Sequence, residues 1–209
     1  MLPHGATVRC RARILSWFGV TYFMNDANLN FVALIGSLRQ KSFNRGLFEA
    51  ARLDLPDGVS LTDLPIGDLP HFNQDIEADP PASVVAFKDA LRSADGVVVF
   101  TPEYNGGMPG VLKNALDWGS RPFSASVIAG TPAIVLGAAA GRLGTAKAQI
   151  QVRQQFVALD LPDLHKPEFY LPFAGQHFDA NGMLTDADSL AQIKQVMAAF
   201  TSWVRLLKA

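Results

Sequence analysis

The run Gly96-Val97-Val98-Val99-Phe100, followed by Thr101-Pro102-Glu103-Tyr104-Asn105-Gly106-Gly107-Met108-Pro109-Gly110, decides the fold, because it joins a buried strand to a polar loop and then to a helix. Consecutive apolar residues without polar alternation suit a parallel strand covered by helices on both faces. Beyond Pro109-Gly110, the residues Val111, Leu112, Ala115 and Leu116 recur at helical spacing as far as Trp118, and Lys113, Asn114 and Asp117 fall toward the other face. The loop therefore stands at the carboxyl end of a strand, where open α/β sheets bind their ligands.

The same alternation continues on either side. Phe31-Val32-Ala33-Leu34-Ile35, closed by Gly36, predicts another buried strand, and residues 44–54 predict a helix with Leu47, Ala50 and Ala51 on its inner face. Val59 to Asp63 alternates and suits an edge strand, and the proline-punctuated segment from Leu64 to Pro80 predicts a long loop. Pro80 and Pro81 open a helix that runs to about Ala94. Ala133 to Leu136 predicts a strand, residues 137–144 a small-residue loop, and the stretch to about Leu159 a helix. A fifth strand is expected within 168–171, and Leu190, Ile193, Met197, Phe200, Val204 and Leu207 mark a closing helix. Strands alternating with helices imply right-handed crossovers, hence an α/β chain folded as a three-layer α/β/α sandwich on a five-stranded parallel sheet.

Composition narrows the partners. The chain has 209 residues, 49% hydrophobic and 18% charged, with no apolar run near the roughly twenty residues a membrane helix requires. A formal charge of −1 offers no field for a phosphate backbone, so neither nucleic acid nor membrane is an expected partner. The single Cys10 excludes an internal disulfide framework and any cysteine-ligated cluster within one subunit, which suits a reducing cytoplasm. His4, His71, His165 and His177 are scattered without metal-ligand spacing, and no nucleophile triad is evident.

Residues 1–28 differ from the rest: Arg9, Arg11 and Arg13 precede an apolar stretch from Ile14 to Met24, but no small-residue cleavage site follows. They are expected to be an extension, disordered or arising from a start codon upstream of Met24, and residues 29–209 one domain.

Two loops carry the polar groups of interest. Gly36-Ser37-Leu38-Arg39-Gln40-Lys41-Ser42-Phe43-Asn44-Arg45 sits between a strand and a helix start, where Ser37, Ser42 and Asn44 can donate hydrogen bonds and Arg39 can neutralise charge. The same residues also suit a capped helix start, with Ser42 or Asn44 as the cap. Neither the dinucleotide fingerprint nor the Walker loop is present, so a phosphate here would be held in another way. In the second loop Pro102 restricts the backbone, Tyr104 offers an aromatic wall, and Gly106 and Gly107 let main chain approach a flat ring. Turn formation alone would also account for Pro102 to Gly107. Phe72, Trp118, Phe123 and Phe173 suit either core filling or the border of a substrate or partner.

Taken together, the two loops resemble those of the NADPH-dependent FMN reductases, flavoproteins of flavodoxin-like fold that include chromate and quinone reductases. Ser37, Arg39, Ser42, Asn44 and Arg45 resemble that family's phosphate loop. The segments Thr101 to Asn105 and Pro109 to Trp118 resemble its flavin-ring loop and helix, and Lys166-Pro167-Glu168-Phe169 resembles a later segment. The resemblance implies a flavodoxin-like domain that binds FMN without a covalent bond. Ser37, Arg39, Ser42 and Asn44 would hold the phosphate, and Pro102, Glu103, Tyr104, Asn105 and Gly106 would border the ring. NADPH or NADH would serve as co-substrate, and the acceptor would be a small molecule: a quinone, chromate, an azo compound or free flavin. It also implies a homodimer or homotetramer, which the apolar Trp118–Phe123 region would suit.

One departure stands out. Ala138, Ala139 and Ala140 replace the hydroxyl residues common in that family after the fourth sheet strand, leaving main-chain donors and Arg142 to serve there. A non-catalytic flavodoxin-like electron carrier or flavin-binding regulator is the alternative from another class.

Overall fold

The computed structural model describes Arg13–Trp17, Val20–Met24 and residues 28–209. Strands β1 (Arg13–Trp17) and β2 (Val20–Met24) pair antiparallel as a two-stranded sheet, with Arg13 opposite Met24. Residues 1–12, 18–19 and 25–27 of the expected extension lie outside the described residues.

Short apolar runs separated by amphipathic segments of ten or more residues cannot pair as hairpins, and they return to the same sheet through helices. The sheet contains β3 (Leu29–Ile35), β4 (Val59–Asp63), β5 (Gly96–Phe100), β6 (Ala133–Ala138) and β7 (Phe169–Leu171), in the order β4-β3-β5-β6-β7, all parallel. Five helices connect and cover them: α1 (Phe43–Leu53), α2 (Ala82–Arg92), α3 (Gly110–Gly119), α4 (Ala146–Ala158) and α5 (Ala187–Leu207). The expected strands and helices are all present, with α5 beginning three residues before Leu190 because Asp186 caps it through the Ser189 amide.

Both faces of the sheet are dry. Phe31, Ala33, Ile35, Phe100 and Leu136 pack toward α1 and α5, and Val32, Leu34, Val97, Val99 and Val135 pack toward α2, α3 and α4. This double burial is why the strands read as continuous apolar runs and not as alternating ones. Phe31 is wholly buried, with its ring 4.9 Å from that of Phe200, so truncating it to alanine would cost about 3–5 kcal/mol.

The chain winds from β3 outward to β4, then crosses back to β5 and continues to β7, so the direction of winding reverses between β3 and β5. These strands pair from Phe31 opposite Gly96 to Ile35 opposite Phe100, which brings their carboxyl ends side by side. Gly36 then donates to Phe100 O at 2.9 Å, and residues 36–42 and 101–109 leave the sheet as neighbours.

The long 64–81 segment is tied down by α3: Asn114 Oδ1 accepts from Phe72 N at 2.7 Å, and Trp118 Nε1 donates to Pro70 O at 2.8 Å. Trp118 is fully buried and takes the Phe72 ring edge-on at 5.0 Å. It therefore belongs to the core and cannot offer the apolar contact surface that the sequence suggested for Trp118–Phe123, although Phe123 is exposed.

Candidate functional site

Where the sheet reverses direction, a cleft of about 570 Å³ opens at the carboxyl ends of the strands. That size is within the range of small-molecule and cofactor pockets. Three connections build it: residues 37–44 after β3, residues 102–104 after β5, and residues 138–145 after β6. Ser37 and Tyr104 line the same cleft, so the two loops singled out in the sequence meet on one ligand-sized space.

At the first wall, Ser42 is the N-cap of α1, its Oγ accepting from Asn44 N at 3.2 Å and Arg45 N at 3.4 Å. Ser37 and Ser42 are buried, which fixes their hydroxyls at the cleft. Arg39 is exposed, with its guanidinium carbon 4.8 Å from the Phe43 ring centre, and among the described residues it has no carboxylate partner. A stacked, uncompensated guanidinium beside two hydroxyls is suited to a phosphate dianion. Asn44 is engaged differently. Its Nδ2 donates to Ala138 O and its Oδ1 accepts from Ala138 N, both at 3.0 Å, so the side chain clasps the end of β6.

At the second wall, Thr101 is buried and donates to Pro102 O at 2.8 Å. Pro102, Glu103 and Tyr104 line the cleft, and Tyr104 is half exposed. Asn105 and Gly106 are at the tip of a tight turn and outside the lining. Tyr104 and Gly107 exchange two hydrogen bonds at 3.0 Å, and φ is 53° at Asn105 and 74° at Gly106, a two-residue turn with both central residues left-handed. The turn reading of this loop and its place at the cleft are therefore both satisfied.

The third wall is the small-residue loop, with Ala139, Ala140, Gly141, Arg142, Leu143 and Gly144 all on the cleft. Its small side chains leave main chain exposed, and Arg142 adds a second exposed cation. Sequence reasoning did not single out Phe43, which also lines the cleft; its signal was an aromatic residue directly after the cap Ser42, facing Arg39.

Among the described residues no three His, Cys, Asp or Glu side chains gather as a metal site, and no helix is long and apolar enough to cross a membrane. The donor set fits a flavin mononucleotide: hydroxyls and a guanidinium without a carboxylate partner among the described residues for a phosphate, and a proline, an aromatic residue and open main chain for a flat ring. A parallel five-stranded sandwich with such a cleft at its reversal point defines the flavodoxin-like nucleotide-binding class.

Comparison with known proteins narrows the class. The family model for NADPH-dependent FMN reductases matches residues 29–176. A 2-hydroxy-1,4-benzoquinone reductase from a Burkholderia species is 40% identical over 177 residues, covering 85% of this chain and 97% of that protein. An NAD(P)H-dependent FMN reductase from Pseudomonas aeruginosa is 42% identical over 187 residues, covering 88% of this chain and all of that protein. Among solved structures, the flavoenzyme NAD(P)H:acceptor oxidoreductase FerB from Paracoccus denitrificans superposes with a TM-score of 0.78 at 34% identity, covering 84% of this chain and 97% of that one. The chain belongs to the NADPH-dependent FMN reductase family and is an oxidoreductase that uses FMN with NAD(P)H. The electron-carrier alternative gives way to the enzyme.

Proposed function

We propose that this chain oxidises NADPH or NADH and passes the electrons to a quinone, with Ser37, Arg39 and Ser42 holding the FMN phosphate and Pro102, Glu103 and Tyr104 bordering its ring. The observation that carries this reading is the convergence of those residues on one cleft of about 570 Å³. Quinones are the acceptors in the names of several similar proteins, among them the Burkholderia enzyme and a quinone reductase from Pseudomonas putida. Bound FMN supplies hydride acceptance from the nicotinamide and hydride donation to the acceptor.

The protein's part is position and field. The Arg39 guanidinium compensates phosphate charge, and the Ser37 and Ser42 hydroxyls fix its orientation. Asn44 holds the first wall to the third, so the phosphate end keeps a constant distance from the 138–145 loop. The main-chain amides of Glu103 and of residues 140–143, which line the cleft, stabilise negative charge that builds on the ring during reduction. Tyr104, half exposed at the rim, gives an arriving flat acceptor a surface to stack on. Arg142, exposed on the same cleft, is placed to attract the nicotinamide nucleotide's phosphates.

A homodimer or homotetramer working in the cytoplasm is the assembly and location we assign to it. The deciding experiment is an absorbance spectrum of the purified protein followed by anaerobic NADPH. A flavin band that bleaches, and returns when benzoquinone is added, supports the assignment. Protein that stays colourless and inactive after FMN is supplied overturns it.

A further inference from the structure

Glu103 lines the cleft, yet its carboxylate is already engaged elsewhere. Oε2 accepts from Lys147 N at 2.9 Å and from Ala148 N at 3.1 Å, the first free amides of α4. That helix has no cap of its own. Thr145, at the cap position, has a left-handed backbone with φ of 78° and makes no side-chain capping bond; its hydroxyl accepts from Gln149 Nε2 at 3.0 Å. Unpaired amides at a helix start carry partial positive charge, so a carboxylate supplied from another loop is a strong partner for them.

A second tie runs the same way, since Met108 N donates to Gln151 Oε1 at 2.9 Å. Between Glu103 and Met108 the chain closes on itself through the Tyr104–Gly107 pair, so the whole turn is suspended from α4 at both ends. Residues 138–145, which lead into α4, form the facing wall of the cleft. Whatever fixes the turn to the start of α4 therefore fixes the separation of two walls.

We propose that Glu103 is a positioning residue for the flavin site: by gripping the first amides of α4 it sets the gap between the 102–107 turn and the 138–145 wall. The proposal rests on the FMN reading above. It distinguishes two roles for one side chain, since a carboxylate bound to a helix start shapes the ring site without needing to touch the ring. The main chain at 103 is left to face the ligand.

The test uses wild type, Glu103→Gln, Glu103→Asp and Glu103→Ala, each stripped of flavin. FMN is titrated in by quenching of flavin fluorescence, and the flavin-free proteins are melted in parallel. Glu103→Gln keeps an oxygen acceptor at the same reach and should bind FMN within about threefold of wild type, whereas the shortened Asp and the truncated Ala should each weaken binding about tenfold or more. A merely structural cap would lower the melting temperature of the flavin-free Ala and Asp variants and leave FMN affinity of the folded protein at the wild-type value; that result overturns the proposal. Equal loss in Gln and Ala overturns it as well. If Glu103→Ala does not fold, the Gln and Asp pair decides by the same criteria. Wild type that fails to bind FMN sinks the functional reading, and this proposal with it, whereas tight wild-type binding with unaffected variants sinks only the proposal.

Discussion

The Asn44 side chain clasps the main chain of Ala138 from both sides, donating to its carbonyl and accepting from its amide at 3.0 Å each. The two residues are 94 positions apart, on the first turn of α1 and the last residue of β6. A side-chain amide offers a donor and an acceptor at that spacing at any pH, whereas a carboxyl does so only when protonated. The pairing thus joins the phosphate end of the cleft to its third wall.

Replacing Asn44 by aspartate keeps the shape and places a carboxylate oxygen against the Ala138 carbonyl. Because Asn44 is buried, the variant should lose about 3 kcal/mol, from the broken donor bond and the unpaired buried charge. Urea denaturation at neutral pH measures this. The loss should shrink in acid, where a protonated carboxyl can again donate. Equal stability of the two proteins at neutral pH would contradict the clasp.

The turn at 105–106 makes a separate prediction. Both residues have positive φ, which glycine and asparagine tolerate and β-branched residues do not. Asn105→Val should therefore cost about 1–2 kcal/mol in the melting of the flavin-free protein, and Asn105→Gly no more than a few tenths. If valine is as well tolerated as glycine, the left-handed turn is not what this position requires.

The fold was legible because its signals are local. Val97 to Phe100 and Phe31 to Ile35 are buried on both faces and so lack alternation, and that alone pointed to a parallel, helix-covered sheet. The meeting of Ser37 and Tyr104 followed from topology, since ligands gather where the winding reverses. The finer division of labour was not legible. Asn44 reads as a phosphate ligand or a cap and Glu103 as a ring neighbour, and both line the cleft; that Asn44 also clasps Ala138 and Glu103 the start of α4 was hidden, because those partners lie 94 and 44 residues away and leave no periodic trace in the chain. Trp118 was ambiguous for a related reason: helical spacing placed it on a face, and only the position of the 64–81 loop determined that this face is covered.

Asp186 provides a pH-dependent test away from the cleft. It caps α5, with Oδ2 accepting from Ser189 N at 2.8 Å and Oδ1 lying 3.4 Å from His177 Nδ1. Hydrogen bonding from Ser189, with a smaller contribution from His177, holds its carboxyl below the ordinary 3.8. A depressed folded-state value means stability that is fully present above the unfolded value and lost as pH falls through the folded one. The melting-temperature deficit of Asp186→Ala should therefore be full at pH 6 and diminish below about pH 4. A deficit that is constant over that window would show that the carboxylate's charge contributes nothing to the cap.

Gly36 and Gly110 bound the connections after β3 and β5 that supply two walls of the cleft, and they make a contrasting pair. A Cβ on Gly36 would come within 2.9 Å of Pro109 Cγ and 3.1 Å of Pro102 Cδ, so the connections after β3 and β5 touch through this residue. Both contacts are to proline rings, which have little freedom to yield, and alanine would push the 36–42 loop away from the 101–109 loop. Overpacking of this kind costs about 1–3 kcal/mol, and since it widens the cleft between the proposed phosphate and ring loops, FMN affinity should fall along with stability. At Gly110, the first residue of α3, nothing lies within 4 Å of an added Cβ. Alanine there removes backbone freedom from the unfolded chain and meets no neighbour, so Gly110→Ala should be neutral or stabilising by up to about 1 kcal/mol, with FMN affinity unchanged. Calorimetry and FMN titration on the two variants separate the effects. Gly36→Ala binding FMN as tightly as Gly110→Ala would mean that the contact between the two loops does not set the geometry of the cleft.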